Sequence, residues 1–164
     1  MLLFYIHHPP AYKVSLDLKE ILSGSTYPDV KDKKNKRLHG YPYTVKKTQI
    51  YLADARHYYK IGNYKKSSFY FGMASHYISD NYCASHCGII SNKDGYYRLG
   101  DNLKPHESYL KFTGIKNMLH AGYLNGLSSS KKWNVKHNPV YVQNDLNKAV
   151  SGCCSIYRNY IKGL

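Results

Sequence analysis

The stretch that most constrains the fold of this chain runs from residue 64 to about residue 81 and predicts one helix. Phe69 and Met73 share a helical face with His76 and Asp80, because residues three, four or seven positions apart lie on the same side of a helix. Towards the carboxyl end of the helix, this face changes from apolar residues to His and Asp, which are residue types that bind metal ions. We therefore expect a helix that packs into a core and carries a polar site at its end.

His76 and Asp80 are spaced so that an imidazole and a carboxylate can reach one cation from the same helical face. Asp80 has two oxygens and could bridge two cations. His86 follows the predicted helix end, where the chain can curl back over the pair. Imidazole nitrogens and carboxylate oxygens form a ligand set that suits zinc. The same pattern also occurs as an ordinary surface pair, and the spacing alone leaves both interpretations open.

The remaining chain also predicts helices and no convincing strand. Gly62 and Asn63 predict a tight turn that joins two helices as an αα-hairpin. The predicted helices cover 14–22, 45–61, 64–81, 106–120 and a final segment from Asn144 or Asp145 to about residue 160. Stretches rich in Gly, Pro, Ser or Asn predict loops over 25–43, 88–104 and 121–139. A chain of 164 residues fits one domain, so we expect a single all-α domain over 1–164.

The charge of the chain is strongly positive, with 24 Lys and Arg against 10 acidic residues and a formal net charge of +14. This excess favours nucleic acid, acidic lipid surfaces or phosphorylated substrates as partners, although a solvated lysine-rich surface explains it equally well. No run approaches the roughly 20 apolar residues of a membrane-spanning helix. The apolar start over 1–6 is too short for a signal-peptide core, so we expect a cytoplasmic protein, with a secreted form left open. The sequence does not indicate the oligomeric state.

The four cysteines form two pairs, Cys83 with Cys87 and Cys153 with Cys154. The second pair is vicinal, which is a poor arrangement for chelating a metal. Cys83 and Cys87 flank His86, so two interpretations stay open for them: buried free thiols, or thiols close to a metal.

The stretch GNYKKSSFYFGMASHYISDNYCASH, residues 62–86, resembles the core signature of zinc-dependent phospholipase C, which the S1/P1 nucleases share in looser form. The matching positions are Gly62, Asn63, Tyr64, Phe69, Tyr70, Gly72, His76, Tyr77, Asp80 and His86. Ala84 stands where the family usually has Pro. The resemblance implies a compact multi-helix bundle, a zinc cofactor of one to three ions, and further ligands outside this stretch.

Those further ligands can be placed one position at a time. Pro28-Asp29 and His39 stand where the family has an upstream Asp and His, and His106 stands where it has a downstream His. The metal ligands that the resemblance implies are Asp29, His39, His76, Asp80, His86 and His106.

The implied zinc sites differ in how many of the family's ligands this chain has. One zinc site is well supplied with ligands, namely Asp29, His39, His76 and Asp80. The second, from His86 and His106, is incomplete because position 110 is Leu where the family has Glu. A third family site uses the processed N-terminal amine, and this chain begins with Met1.

The resemblance also implies hydrolysis of a phosphodiester by metal-activated water, with Asp29 orienting the water or accepting its proton. Phospholipid head groups rank first as substrate, because the sequence of the core signature, residues 62–86, is closer to the phospholipase branch of the family. Two alternatives stay open: a P1-like nuclease for single-stranded nucleic acid, and a non-catalytic member that binds metal or an anionic partner. The missing Glu at position 110 favours the last of these.

Overall fold

The computed structural model describes residues 16–31 and 39–163 of the chain. These residues form seven α-helices and a closing π-helical turn, and no strand occurs within the described ranges. The helices are α1 Leu18–Lys31, α2 Tyr43–Lys60, α3 Tyr64–Tyr82, α4 Ala84–Cys87, α5 Lys93–Asn102, α6 Ile115–Val135 and α7 Pro139–Ile156, followed by the π-helix Tyr157–Lys162. The predicted all-α fold is thus confirmed. The apolar start over 1–6 and the N-terminal amine lie outside the described residues.

Helix α3 is the centre of the fold and packs against α1, α2, α6 and α7. It begins where the sequence predicts, because the Asn63 side chain accepts a hydrogen bond of 3.1 Å from the Lys66 amide and so caps the helix. Phe71, Ala74 and Ile78 are buried in the main core, where burying each large apolar side chain stabilises the fold by about 1.5–3 kcal/mol. The central helix therefore forms a fixed platform for its polar end.

Helices α1 and α3 approach each other closely at two glycines. A Cβ atom on Gly72 would lie 2.2 Å from the Ile21 carbonyl oxygen, and one on Gly24 would lie 2.0 Å from the Phe69 carbonyl oxygen. Both obstacles are backbone atoms, which cannot turn aside as a flexible side chain can. Only glycine at both positions allows this backbone contact, and the contact fixes how far along α3 the residues of α1 lie.

Helix α1 differs from the sequence prediction, which ends a helix at residue 22 and places Pro28 and Asp29 in a loop. The observed helix continues to Lys31 and contains Pro28, which is buried. Proline inside a helix removes one backbone hydrogen bond and costs roughly 3 kcal/mol. The packing of α1 along α3 offsets this cost, because most helical stability in proteins comes from tertiary packing. Asp29 consequently stands on a helix.

Two predicted loops are also helical. Helix α5 lies within the predicted loop 88–104 and begins at Lys93, after Asn92, whose side chain accepts a hydrogen bond from the Gly95 amide and caps the helix. Helix α6 covers most of the predicted connection 121–139, because its small residues allow close packing: Gly122 lies against the Tyr82 ring and Gly126 against the Cys87 side chain. A composition typical of loops here permits tight helix contacts.

The prediction of a helix over 106–120 is wrong for residues 106–114. Residues 103–114 are not helical and run along α7, held by bonds from the His106 amide to Asn147 at 2.8 Å and from the Ser108 amide to Ser151 at 2.9 Å. The last helix starts earlier than predicted, at Pro139, with Asn138 as its cap. Among the helices of the described residues, none has the length and apolar character needed to cross a membrane.

Candidate metal centre

Four predicted ligands come from three separate segments and meet beside the carboxyl end of α3. His76 and Asp80 lie one turn apart on α3, Asp29 is near the end of α1, and His39 precedes α2. His39 Nδ1 lies 2.9 Å from His76 Nε2 and 3.2 Å from Asp80 Oδ2. His76 Nε2 lies 3.2 Å from the same Asp80 oxygen and 3.7 Å from Asp29 Oδ1.

These separations fit the size of a zinc ion. Zinc holds nitrogen and oxygen ligands at roughly 2.0–2.2 Å, so neighbouring ligand atoms of a tetrahedron lie roughly 3.3–3.6 Å apart. The observed distances of 2.9–3.7 Å span that value. Asp29, His39 and His76 alone offer three ligand atoms that all lie within 4.8 Å of one another.

The tautomer of His76 is fixed by its second ring nitrogen. His76 Nδ1 lies 2.9 Å from the Ser25 carbonyl oxygen, which can only accept, so Nδ1 carries the proton and donates it. Nε2 is therefore the ring nitrogen that faces His39 and Asp80, and in the neutral ring its lone pair can bind a cation there. A ligand histidine in a metal site is typically oriented in this way by a backbone carbonyl. The close approach of α1 to α3 brings the Ser25 carbonyl to this position.

The central atoms of the cluster are mostly acceptors in a buried setting. The side chains of His39, His76 and Asp80 are 8–12% exposed, whereas that of Asp29 is 48% exposed and forms the open rim. One proton on His39 Nδ1 cannot satisfy both His76 Nε2 and Asp80 Oδ2 with full hydrogen bonds. A divalent cation would be coordinated by all of them at once, and the residues present therefore fit a zinc ion.

The electrostatics of the cluster also favour a cation. Burial by itself raises the pKa of Asp80, but the His86 charge and hydrogen bonds from His39 and His76 outweigh burial and hold that pKa well below its usual value. Burial lowers the pKa of His76, yet Asp80 and then Asp29 raise it to a net value above the ordinary one. The carboxylate thus stays ionised and draws positive charge towards it.

His86 reaches the other oxygen of Asp80. Its Nε2 lies 3.7 Å from Asp80 Oδ1, while Asp80 Oδ2 faces His39 and His76. This two-sided use of one carboxylate is the arrangement that a bridging ligand needs. Burial lowers the pKa of His86, Asp80 raises it, and the positive charge of Lys93 lowers it again to a net decrease. A neutral imidazole is the form that binds a metal.

His106 does not join this group. It is exposed on the 103–114 stretch, and within the described parts of the chain no hydrogen bond or ion pair connects it to the cluster. Its role as a ligand stays a prediction from the resemblance. The neighbouring Glu107 forms an ion pair with Arg158 and is thereby directed away from a metal role.

The cysteines around His86 behave as buried thiols. All four cysteines are free, and burial raises the pKa of Cys83 to about 11. The Cys87 thiol donates to the carbonyl oxygen of Asn81 at 3.2 Å, and burial raises its pKa far above the usual range. Metal-binding cysteine needs the thiolate form, so of the two open interpretations the structure favours free thiols.

A buried carboxylate that the sequence analysis names only as a possible start of the last helix, Asp145, holds α4 in place. Asp145 on α7 is 3% exposed and accepts hydrogen bonds from the Tyr96 hydroxyl at 2.7 Å and the Ala84 amide at 3.2 Å. Asn125 and Ser129 donate to its other oxygen at 3.1 and 2.6 Å. Burial raises its pKa to about 6 despite these bonds. No local sequence pattern marks this residue, because its donors come from α4, α5 and α6.

We expect Asp145→Ala to lower the free energy of unfolding by about 3 kcal/mol or more. The Ala84 amide and the hydroxyls of Tyr96 and Ser129 would lose their acceptor, and each unsatisfied buried donor costs about 1–3 kcal/mol. Urea unfolding at neutral pH measures the change. Asp101→Ala, at an exposed position of α5, is the control and should stay within about 0.5 kcal/mol of wild type. Equal stability of the two variants would contradict the prediction.

Comparison with known proteins agrees with the chemistry of this cluster. A family model described as zinc dependent phospholipase C matches residues 4–162. No significant match to the chain is found among curated proteins or among solved structures. The family match covers nearly the whole chain, and together with the grouping of Asp29, His39 and His76 it supports zinc as the cofactor.

Proposed function

Because the chain belongs to the zinc-dependent phospholipase C family, we propose that it is a phosphodiesterase that removes the phosphorylated head groups of phospholipids. The observation that carries the proposal is the convergence of Asp29, His39, His76 and Asp80 on one point with zinc-like spacing. These four side chains would hold the ion. His86, on the far side of Asp80, would extend the site.

Zinc bound here would lower the pKa of a water molecule towards about 7 and neutralise charge on the phosphate. The chain's own residues would supply the other functions of the site. Ser25 holds the His76 ring in its ligand orientation, and buried Asp80 holds negative charge at the centre. Asp29 is half exposed at the rim, where its carboxylate can orient an attacking water or accept its proton.

One observation supports a second candidate, a family member that binds zinc without turnover. His106 stands apart from the cluster and position 110 is Leu, so the second implied site has His86 as its only described member close to Asp80. A protein with one zinc ion and no hydrolysis would fit this arrangement. The two candidates predict different results for the same preparation.

The test is a substrate panel on zinc-loaded protein whose zinc content is measured by elemental analysis. We expect diacylglycerol release from vesicles of mixed zwitterionic and anionic phospholipids, its loss on chelation and its return when zinc is added. Single-stranded DNA is assayed in parallel, and cleavage of DNA alone would identify a nuclease. Bound zinc without hydrolysis of either substrate would support the non-catalytic candidate. Equal lipid hydrolysis with and without chelator would refute zinc dependence.

A further inference from the structure

Two polar side chains, Tyr97 and Ser85, lie beside His86 on one side of Asp80. The Tyr97 hydroxyl on α5 is 3.5 Å from His86 Nε2 and 2.6 Å from Ser85 Oγ. A tyrosine hydroxyl carries its proton at neutral pH, so Tyr97 brings a hydrogen-bond donor to this side of the site.

The hydrogen-bond partners of Tyr97 leave its proton available. Ser85 can donate its own hydroxyl proton to the Tyr97 oxygen, because either oxygen of this pair can be the donor. The proton of Tyr97 can then go to His86 Nε2 at 3.5 Å, and a metal ion bound to that nitrogen would leave the proton for a ligand in the site. A hydrogen bond from a hydroxyl to an ionised phosphate oxygen is of the strong, charge-assisted kind.

Charge balance at the site calls for a further positive group. Two carboxylates and two neutral imidazoles around one zinc ion have a net charge of zero, so an anionic phosphodiester would meet no excess positive charge there. Lys93 begins α5, and its ammonium lies 5.6 Å from the centre of the Tyr97 ring. Among the described residues, no hydrogen bond or ion pair joins His106 to the cluster.

We propose that Tyr97 and Lys93 bind the phosphoryl group of the substrate beside the zinc position, with the Tyr97 hydroxyl donating to a nonbridging oxygen and the Lys93 ammonium balancing its charge. This inference rests on the proposed function for the identity of the substrate, but it makes a separate statement about anion binding. The carboxylate-rich side of the site would hold the metal, and the α5 side would hold the phosphate.

The test is titration of zinc-loaded protein with inorganic phosphate, followed by calorimetry, in wild type, Tyr97→Phe and Lys93→Gln. We expect phosphate binding to weaken about 10-fold or more in Tyr97→Phe, since hydrogen bonds to charged groups are the stronger ones. A smaller loss, of roughly 2- to 5-fold, is expected for Lys93→Gln, because an exposed charge is screened by solvent. Zinc content should not change in either variant. Tyr109→Phe and Lys111→Gln, at exposed positions on the 103–114 stretch, are the matched controls.

The outcomes separate the two proposals. Phosphate affinity equal to wild type in both α5 variants would overturn the inference, whatever the rate of lipid hydrolysis. Phosphate binding that depends on Tyr97 in a protein that hydrolyses no diester would uphold the anion site and refute the proposed activity. Where hydrolysis occurs, Tyr97→Phe should lower its rate with full zinc occupancy, which separates phosphate binding from metal binding.

Discussion

Replacing Asp80 with Asn is expected to lower zinc affinity by at least about 100-fold and to remove lipid hydrolysis at limiting zinc. The Asp80 carboxylate is the only group that faces His39 and His76 with one oxygen and His86 with the other, among the described residues. An amide is neutral and would turn an NH₂ group towards one of these sides. Loss of residues that merely orient metal ligands typically costs 10- to 100-fold in affinity, so loss of a ligand itself should cost more.

Zinc competition with a chromogenic chelator measures this affinity, and vesicle hydrolysis measures the activity. Asp94→Asn is the matched control, because Asp94 is exposed on α5 and makes no contact with the cluster in the described structure. Thermal unfolding in the presence of chelator shows whether the Asp80 variant is folded. Wild-type zinc affinity in a folded Asp80→Asn protein would rule out the metal centre as described.

Replacing Gly72 with Ala is expected to destabilise the protein by about 1–3 kcal/mol and to weaken zinc binding at a distance. The new Cβ would lie 2.2 Å from the Ile21 carbonyl oxygen and 3.0 Å from the Ser25 amide, so α1 must move away from α3. That movement would carry the Ser25 carbonyl away from His76 Nδ1, and it would also carry Asp29 away from the rim of the site. Urea unfolding and the zinc competition measurement report the two effects separately.

Gly24→Ala tests the same contact from the other helix, since its Cβ would lie 2.0 Å from the Phe69 carbonyl oxygen. Each change separates the two helices, so the double variant should lose less stability than the sum of the single ones. Ala53→Ser adds one atom at an exposed position of α2 and should leave both measurements unchanged. Full additivity of the glycine variants, with intact zinc binding, would show that the helix contact does not position the site.

The central hairpin could be predicted because its signals are local. Asn63 caps α3, Gly62 takes a positive φ of 76° in the turn, and the spacing of His76 and Asp80 places both on one face. Each of these features depends on residues within about one helical turn. The same reasoning failed for α6, where Gly122 and Gly126 indicate a loop by composition but serve close packing against Tyr82 and Cys87.

The chain's own sequence thus determined the all-α class, the central helix and the types of ligand that it carries. Only the tertiary structure decided which ligands meet. Asp29 reaches His76 because α1 stays helical through Pro28 and crosses α3 at paired glycines, whereas His106 is held along α7 by Asn147. The physical reason is that helix periodicity acts over a few residues, while this site needs atoms within a few ångströms from distant segments, such as Ser25 and His76, which are 51 residues apart.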